Sequence, residues 1–199
     1  MMMEKTEAVK KPVLLIDACV RKESRTRFLA EKLLLKLGRP FDTLRLSDLA
    51  FPAVDQEYLS LRDRLLAEGN DRHPLFDAAR QFAGAETIVI AAPYWDLSFP
   101  AMLKQYLELV NVPGITFRYS EKGVPVGLCR ARRLFYVTTA GGCFVPDEFG
   151  FGYIRSLAQN FYGIPDVRQI RAIGLDLEGA DVPAILRDAE DALSAMDPD

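Results

Sequence analysis

The most constraining feature of this sequence is a regular alternation between short apolar runs and longer segments of helical periodicity. The run VLLIDA at 13–18 precedes RTRFLAEKLLLKL at 25–37, where apolar residues recur every three or four positions. Short runs without alternating polar residues are typical of strands that are buried on both faces. Strands that alternate with helices in this way predict one parallel sheet covered by helices on both sides.

The same pattern extends along the rest of the chain. Strands are predicted at 13–18, 41–46, 86–93, 132–139 and 167–175, and helices at 25–37, 74–84, 99–110, 151–162 and 181–195. Residues 50–74 are charged and have room for another helix, and residues 115–129 indicate a hairpin-like excursion. Gly38 is a predicted helix stop, Ser98 a predicted N-cap, and Pro100 falls in the first turn of its helix.

Five strands fit either the order 2-1-3-4-5 or half of a Rossmann sheet. In both arrangements ligands bind beyond the carboxyl ends of the strands. The loops that follow the first, third and fourth strands are therefore the candidate site.

Charge and composition narrow the class of partner. A net charge of −3 gives no electrostatic reason to expect nucleic acid or an anionic membrane. The most apolar stretch, around 87–95, is too short to span a bilayer, and the polar start at 1–11 lacks a signal-peptide core. Three widely spaced cysteines form neither a disulfide framework nor a metal-ligand pattern. We expect a cytoplasmic protein without a metal, with a flexible N-terminus at 1–11 and one domain at 12–197.

The first candidate loop carries Ser24 and Thr26 where a helix begins. Free backbone N–H groups, two hydroxyls and Arg25 at that place suit an anion. The loop has neither G-x-G-x-x-G nor G-x-x-x-x-G-K-[ST], which favours one phosphate over a pyrophosphate or triphosphate. The alternative is that Ser24 only caps the helix.

The second and third loops are PYWDL at 93–97 and TTAGGC at 138–143. A turn made only for connection favours Gly, Asn, Asp or Ser, so Tyr94 and Trp95 are either core aromatics or the wall of a flat ligand. Gly141 and Gly142 allow a ligand to approach backbone N–H groups closely, although an ordinary tight turn also uses glycines. The three loops together predict a site for a flat, singly phosphorylated ligand.

These motifs resemble those of the FMN-dependent NAD(P)H:quinone oxidoreductase and azoreductase family. The matching residues are Ser24, Thr26 and Leu29, then Pro93 to Lys104, Gly114 to Tyr119, Gly127-Leu128, and Thr139, Gly141 and Gly142. The resemblance covers about residues 12–195. It implies an α/β flavodoxin-like three-layer sandwich, with a five-stranded parallel sheet of order 2-1-3-4-5 and helices on both faces. It also implies a homodimer with two FMN sites at the subunit interface.

The resemblance assigns roles to the loops. The first loop is expected to hold the FMN phosphate, the second to line the isoalloxazine with an N–H near N5, and the third to face the pyrimidine end. The expected cofactor-binding residues are Asp17, Ser24, Arg25, Thr26, Pro93, Tyr94, Trp95, Asp96, Leu97, Thr139, Ala140, Gly141 and Gly142. The expected substrate-binding residues, partly from the second subunit, are Phe117, Tyr119 and Phe161.

Three positions depart from the family pattern. The family often has a serine near Asp17, at the end of the first strand, and the carboxylate of Asp17 would repel phosphate unless it points away toward loop N–H groups. Many azoreductases have an arginine where Ala140 stands and an asparagine near Asp96, and these departures bear on substrate preference and FMN affinity.

The implied activity is a ping-pong reaction. NADH or NADPH passes a hydride to FMN and leaves, and a small-molecule acceptor, a quinone or an azo compound, then takes its place. No side chain is expected to act as an obligatory acid or base, consistent with a single histidine, His73, in the polar segment GNDRHP. The main alternative is a flavodoxin-type FMN electron carrier without NAD(P)H activity. The others are a relative that has lost flavin and a receiver-like domain with Asp17 as phosphoacceptor, which lacks an adjacent acid.

Overall fold

A five-stranded parallel sheet lies at the centre of the computed structural model, which describes residues 13–195. The strands are β1 (Val13–Asp17), β2 (Phe41–Arg45), β3 (Thr87–Ala91), β4 (Phe117–Tyr119), β5 (Pro125–Gly127), β6 (Arg133–Thr139) and β7 (Asp166–Ala172). The α-helices are α1 (Arg25–Leu37), α2 (Gln56–Ala67), α3 (Asp77–Gly84), α4 (Ala101–Val110), α5 (Phe151–Leu157) and α6 (Val182–Ala195). The N-terminus predicted to be flexible at 1–11 lies outside the described residues, and the domain bounds of 12–197 stay a prediction.

The strand order in the sheet is β2-β1-β3-β6-β7. This confirms the predicted order 2-1-3-4-5, because β4 and β5 form a separate antiparallel hairpin. All neighbours in the main sheet are parallel. The carboxyl ends of β1, β3 and β6 therefore lie side by side, and the loops that follow them share one edge.

The central strands are buried on both faces, as their apolar runs predict. Ile16, Ile90 and Tyr136 pack on one side with residues of α3, α4 and α5. Leu15 and Val89 point to the other side, into a core formed with α1 and α6. Because side chains alternate along a strand, an unbroken apolar run supplies both cores at once.

Most predicted helices begin and end within three residues of the observed bounds, with α3 preceded by a 3-10 turn at Pro74–Phe76, and one predicted cap is wrong. Gly38 ends α1 in the left-handed conformation at φ 57°, as predicted. The helix in 50–74 is α2, whose N-cap Asp55 accepts a hydrogen bond from the N–H of Tyr58. Ser98 as a helix N-cap was a wrong prediction, since Pro100 occupies that position without a side-chain cap. The Ser98 hydroxyl instead donates to the carbonyl of Phe149 at 2.8 Å.

The remaining differences concern the last third of the chain. The helix predicted at 151–162 is α-helical only to Leu157 and continues as a π-helical turn at Ala158–Tyr162. The strand predicted at 167–175 ends at Ala172, so residues 173–175 belong to the following loop. No helix among residues 13–195 is both long enough and apolar enough to cross a membrane.

The predicted hairpin-like excursion is confirmed as β4 and β5. At the far end of the hairpin, the backbone of Gly127 packs directly against the backbone of the π-helical turn. A Cβ at Gly127 would lie 2.1 Å from the carbonyl carbon of Tyr162 and 2.3 Å from its oxygen. The neighbouring atoms are backbone, so they cannot move aside as a flexible side chain would. Glycine is required here by close approach.

We expect Gly127→Ala to lower the free energy of unfolding by about 3 kcal/mol, because overpacking against backbone forces the hairpin away from the helix. Gly84→Ala is the control, since a Cβ at the end of α3 meets nothing within 4 Å. It should shift stability by less than about 1 kcal/mol, toward the more stable side. Urea denaturation measures both, and equal midpoints for the two variants would contradict the contact.

Candidate functional site

A cavity of about 620 Å³ opens at the carboxyl edge of the sheet. Its volume lies within the range of small-molecule and cofactor sites, about 300–1,000 Å³. The predicted site residues that line it are Ser24, Arg25, Thr26, Pro93, Tyr94, Trp95, Thr139, Ala140 and Gly141. The predicted residues that do not line it are Asp17, Asp96, Leu97, Gly142, Phe117, Tyr119 and Phe161. The structure thus brings all three predicted loops to one cavity.

The first loop meets the cavity at the N-terminus of α1. Ser24 is the N-cap, and its hydroxyl accepts from the N–H of Arg27 at 3.2 Å. The buried Thr26 hydroxyl lies 2.6 Å from the hydroxyl of Thr139, which joins the first loop to the third. Ser24 therefore caps the helix and also faces the cavity.

Asp17 is buried beneath this loop, with 1% of its surface exposed. Its carboxylate accepts from the N–H of Cys19 at 2.9 Å and from Nε of Arg27 at 2.7 Å. The carboxylate is thus directed to a loop N–H and a cation, which offsets its charge.

The second loop contains a tight turn from Trp95 to Ser98. The two residues exchange backbone hydrogen bonds, with N···O distances of 3.1 and 2.7 Å. Asp96 at φ 50° and Leu97 at φ 68° occupy the left-handed region, as in a type I′ turn. They are the non-glycine residues with positive φ among residues 13–195. Backbone strain is therefore concentrated beside the cavity, where it often accompanies function.

The third loop is packed against the loop after β7. Ala140 and Gly141 accept backbone hydrogen bonds from Leu175 and Asp176 at 3.2 and 3.0 Å. A Cβ on Gly141 would lie 2.3 Å from a carboxylate oxygen of Asp176, whereas Gly142 has open space around it. A side chain at Gly141 would therefore displace the exposed carboxylate of Asp176, whereas a side chain at Gly142 would displace nothing.

The loop after β7 adds cavity residues that the sequence interpretation missed, namely Leu175 and Asp176, together with Leu186 of α6. These residues were missed because the last strand was predicted to extend to residue 175, whereas it ends at Ala172 and a loop follows. The carboxylate of Asp176 accepts from Nη1 of Arg25 at 2.8 Å. Both side chains are well exposed, so this ion pair is weak in water.

The predicted substrate-binding aromatics contact one another outside the cavity. The Phe117 ring lies 5.4 Å from Tyr119 and 5.0 Å from Phe161, both edge to face. Phe117 is buried, while 55% of the Tyr119 surface is exposed. These rings form a separate cluster between the hairpin and the π-helical turn.

Cys19 and His73, two residue types that can act as a nucleophile or a base, do not line the cavity. Burial raises the pKa of the Cys19 thiol to about 12, so it stays protonated near neutral pH. His73 does not line the cavity, and its Nδ1 accepts from the N–H of Leu75 at 3.2 Å. No group of three metal-ligating side chains occurs in the part of the chain that the structure describes.

The chain is similar to proteins of one known family. A family model described as flavodoxin-like fold matches residues 11–196. The chain is 42% identical over 139 residues to the FMN-dependent NADH:quinone oxidoreductase 2 of Clostridium acetobutylicum, covering 67% of this chain and 68% of the relative. It is 41% identical over 126 residues to the FMN-dependent NADH:quinone oxidoreductase of Clostridium beijerinckii, covering 62% and 63%. The second match thus spans less than two thirds of that relative.

Solved structures share the fold at lower identity. An azoreductase from Bacillus anthracis str. Sterne superposes with a TM-score of 0.79 at 20% identity, covering 92% of this chain and 97% of the other. An FMN-dependent NADH-azoreductase from Bacillus anthracis str. Ames Ancestor, in complex with FMN, gives 0.76 at 23% identity, covering 92% and 95%. At these identities the likeness concerns the fold alone.

We expect Leu97→Gly to raise the free energy of unfolding by about 0.5 kcal/mol, because it releases the left-handed strain of about 1–2 kcal/mol that a non-glycine residue carries. Leu49→Gly is a matched control with similar exposure, 40% against 45%, and φ −96°. The free energy of unfolding of Leu49→Gly should fall by about 1 kcal/mol, because glycine raises the conformational entropy of the unfolded chain and no strain is released. Equal losses by urea denaturation in both variants would contradict the strain.

Proposed function

This chain belongs to the family with the flavodoxin-like fold, and from that premise we propose that it is an FMN-dependent NADH oxidoreductase that reduces quinones, azo compounds or both. The observation that carries the proposal is the single cavity onto which three loops converge, with a helix N-terminus and an aromatic turn among its walls. The names of relatives about 40% identical to this chain support the same cofactor, donor and acceptor class.

The cavity fits FMN in its donor chemistry. The N–H groups of Arg25 and Thr26, at the start of α1, have no acceptor among residues 13–195. Such groups, with the helix dipole and the neighbouring hydroxyls, bind a phosphate well. Pro93, Tyr94 and Trp95 supply an apolar wall for a flat ring, and 41% of the Trp95 surface is exposed.

Bound FMN supplies the redox chemistry, which is hydride exchange first with NADH and then, in ping-pong order, with an acceptor at the same position. The chain's own residues position the ring and stabilise charge. The N–H groups of Asp96, Gly141 and Gly142 have no acceptor in residues 13–195. The N–H of Gly141, which lines the cavity, is suited to stabilise negative charge at the pyrimidine end of the ring. Gly142 and Asp96 lie one residue beyond the cavity lining, next to Gly141 and Trp95, and the family resemblance implies the same role for Gly142 and a contact near N5 for Asp96.

We also propose a homodimer. Large apolar side chains are exposed next to the cavity, on the strained turn and on the loop after β6, and 41–78% of their surfaces face solvent: Trp95, Leu97, Phe144 and Phe149. The hydrogen bond from Ser98 to Phe149 holds these two segments together. An apolar patch of this kind is typical of an interface. In the dimer, Phe117, Tyr119 and Phe161 would border the acceptor space, partly from the second subunit, as the family resemblance implies.

We further propose a cytoplasmic location. Cys19, Cys129 and Cys143 are all free thiols, and free thiols persist in a reducing compartment.

The purified protein should be yellow, lose its visible flavin absorbance on anaerobic addition of NADH, and regain it on addition of a benzoquinone. NADPH in a parallel titration measures nucleotide preference. Bound FMN that neither nucleotide reduces would instead favour the electron-carrier alternative. A colourless protein that takes up no added FMN would contradict the proposal as a whole.

The two ends of the cavity should respond differently to mutation. Trp95→Ala should weaken FMN and riboflavin alike, by about tenfold, because both ligands stack the same ring on the turn. Thr26→Val, which replaces the hydroxyl with a methyl group, should weaken FMN by about tenfold and riboflavin clearly less, because only FMN carries a phosphate while the lost hydrogen bond to Thr139 affects both ligands. Quenching of flavin fluorescence measures the four affinities. A loss selective for FMN in Trp95→Ala, together with equal losses of both ligands in Thr26→Val, would contradict the proposed position of the phosphate.

A further inference from the structure

Beneath the cavity, Asp17 and Arg27 form an ion pair that the fold does not need for helix stability. Asp17 ends β1 and Arg27 lies in the first turn of α1, with side-chain exposures of 1% and 16%. A cation in the first turn opposes the helix dipole, and withdrawing a carboxylate from water costs free energy. Because helix stability does not account for this ion pair, its explanation has to come from the other hydrogen bonds that Arg27 makes.

The guanidinium of Arg27 also donates hydrogen bonds to three carbonyl groups of the preceding loop. Nη2 donates to the carbonyl of Cys19 at 2.8 Å. Nη1 donates to the carbonyls of Arg21 and Lys22 at 3.1 and 3.0 Å. With Nε held by Asp17, the planar fork makes four hydrogen bonds, a set that only arginine has the donors to make.

This arrangement fixes which way the loop amides face. Across a trans peptide the C=O and the following N–H point in opposite directions, and residues 13–195 contain no cis peptide. The N–H groups of Val20, Lys22 and Glu23 therefore point away from Arg27. No N–H from residue 20 to residue 26 has an acceptor within residues 13–195. Val20, Arg21 and Glu23 line the cavity.

We propose that Asp17 and Arg27 are a positioning pair that turns the backbone amides of residues 20, 22 and 23 toward the phosphate of the cofactor without touching it. The inference rests on the proposed function. Because the pair is neutral as a whole, it acts through the direction of backbone dipoles, which form an anion-binding concavity. Asp17 thereby serves the phosphate end although its own charge would repel a phosphate at close range.

Arg27→Lys tests the proposal, because lysine keeps the charge beside Asp17 but cannot reach three carbonyls in a plane. We expect FMN affinity to fall about tenfold and riboflavin affinity to stay within about twofold. Arg133→Lys is the matched control, since Arg133 is also 16% exposed and paired with an aspartate, Asp166, at the opposite edge of the sheet. Both variants should lose similar thermal stability, and the control should keep both flavin affinities.

A merely structural pair would lower both flavin affinities together or neither, and either result overturns the proposal. Asp17→Asn is the second variant if Arg27→Lys does not fold, and it should show the same FMN-selective loss at smaller size. A thermal shift with inorganic phosphate separates this inference from the proposed function. If the unmutated protein binds no flavin, a phosphate-induced shift lost in Arg27→Lys still supports the pair. The absence of any phosphate-induced shift in that case overturns it.

Discussion

The structure depends on the burial of three central strands on both faces. The side chains of β1, β3 and β6 fill two separate cores, so no residue inside these strands is available to a ligand. Polar residues are displaced to the strand ends, where Asp17 and Thr139 stand. A sheet built in this way has its chemistry at one edge, because the parallel arrangement brings all carboxyl ends to the same side.

The edge is held together by a few specific contacts. The N–H of Tyr94 donates to the carbonyl of Thr139 at 2.9 Å, which joins the second loop to the third. The hydroxyls of Thr26 and Thr139 join the first loop to the same residue. Thr139 is therefore the common anchor of all three loops. A displacement of any loop would be transmitted to the other two through this residue.

Each loop exposes backbone donors by a different local device. In the first loop, the guanidinium of Arg27 donates hydrogen bonds to the carbonyl oxygens. In the second loop, a strained turn leaves the N–H of Asp96 without an acceptor among the described residues. The third uses Gly141, whose missing side chain makes room for Asp176. Backbone donors do not depend on side-chain protonation, which suits a site where the cofactor performs the redox chemistry.

The amino-acid sequence by itself determined the sheet, its order once the family resemblance was included, and the three loops, because apolar periodicity and turn composition are local properties. Only the tertiary structure decided the partners of Asp17, the left-handed turn at Asp96 and Leu97, and the entry of Leu175 and Asp176 into the cavity. Ser98 was assigned to a helix cap because the pattern did not reveal that the turn before it closes on itself. The turn at Asp96 and Leu97 is local, but its sequence lacks the glycine that usually marks a left-handed turn. The entry of Leu175 and Asp176 into the cavity depends on contacts between segments as far apart as Arg25 and Asp176. No local pattern encodes such contacts, since the chain has to fold before the two segments meet.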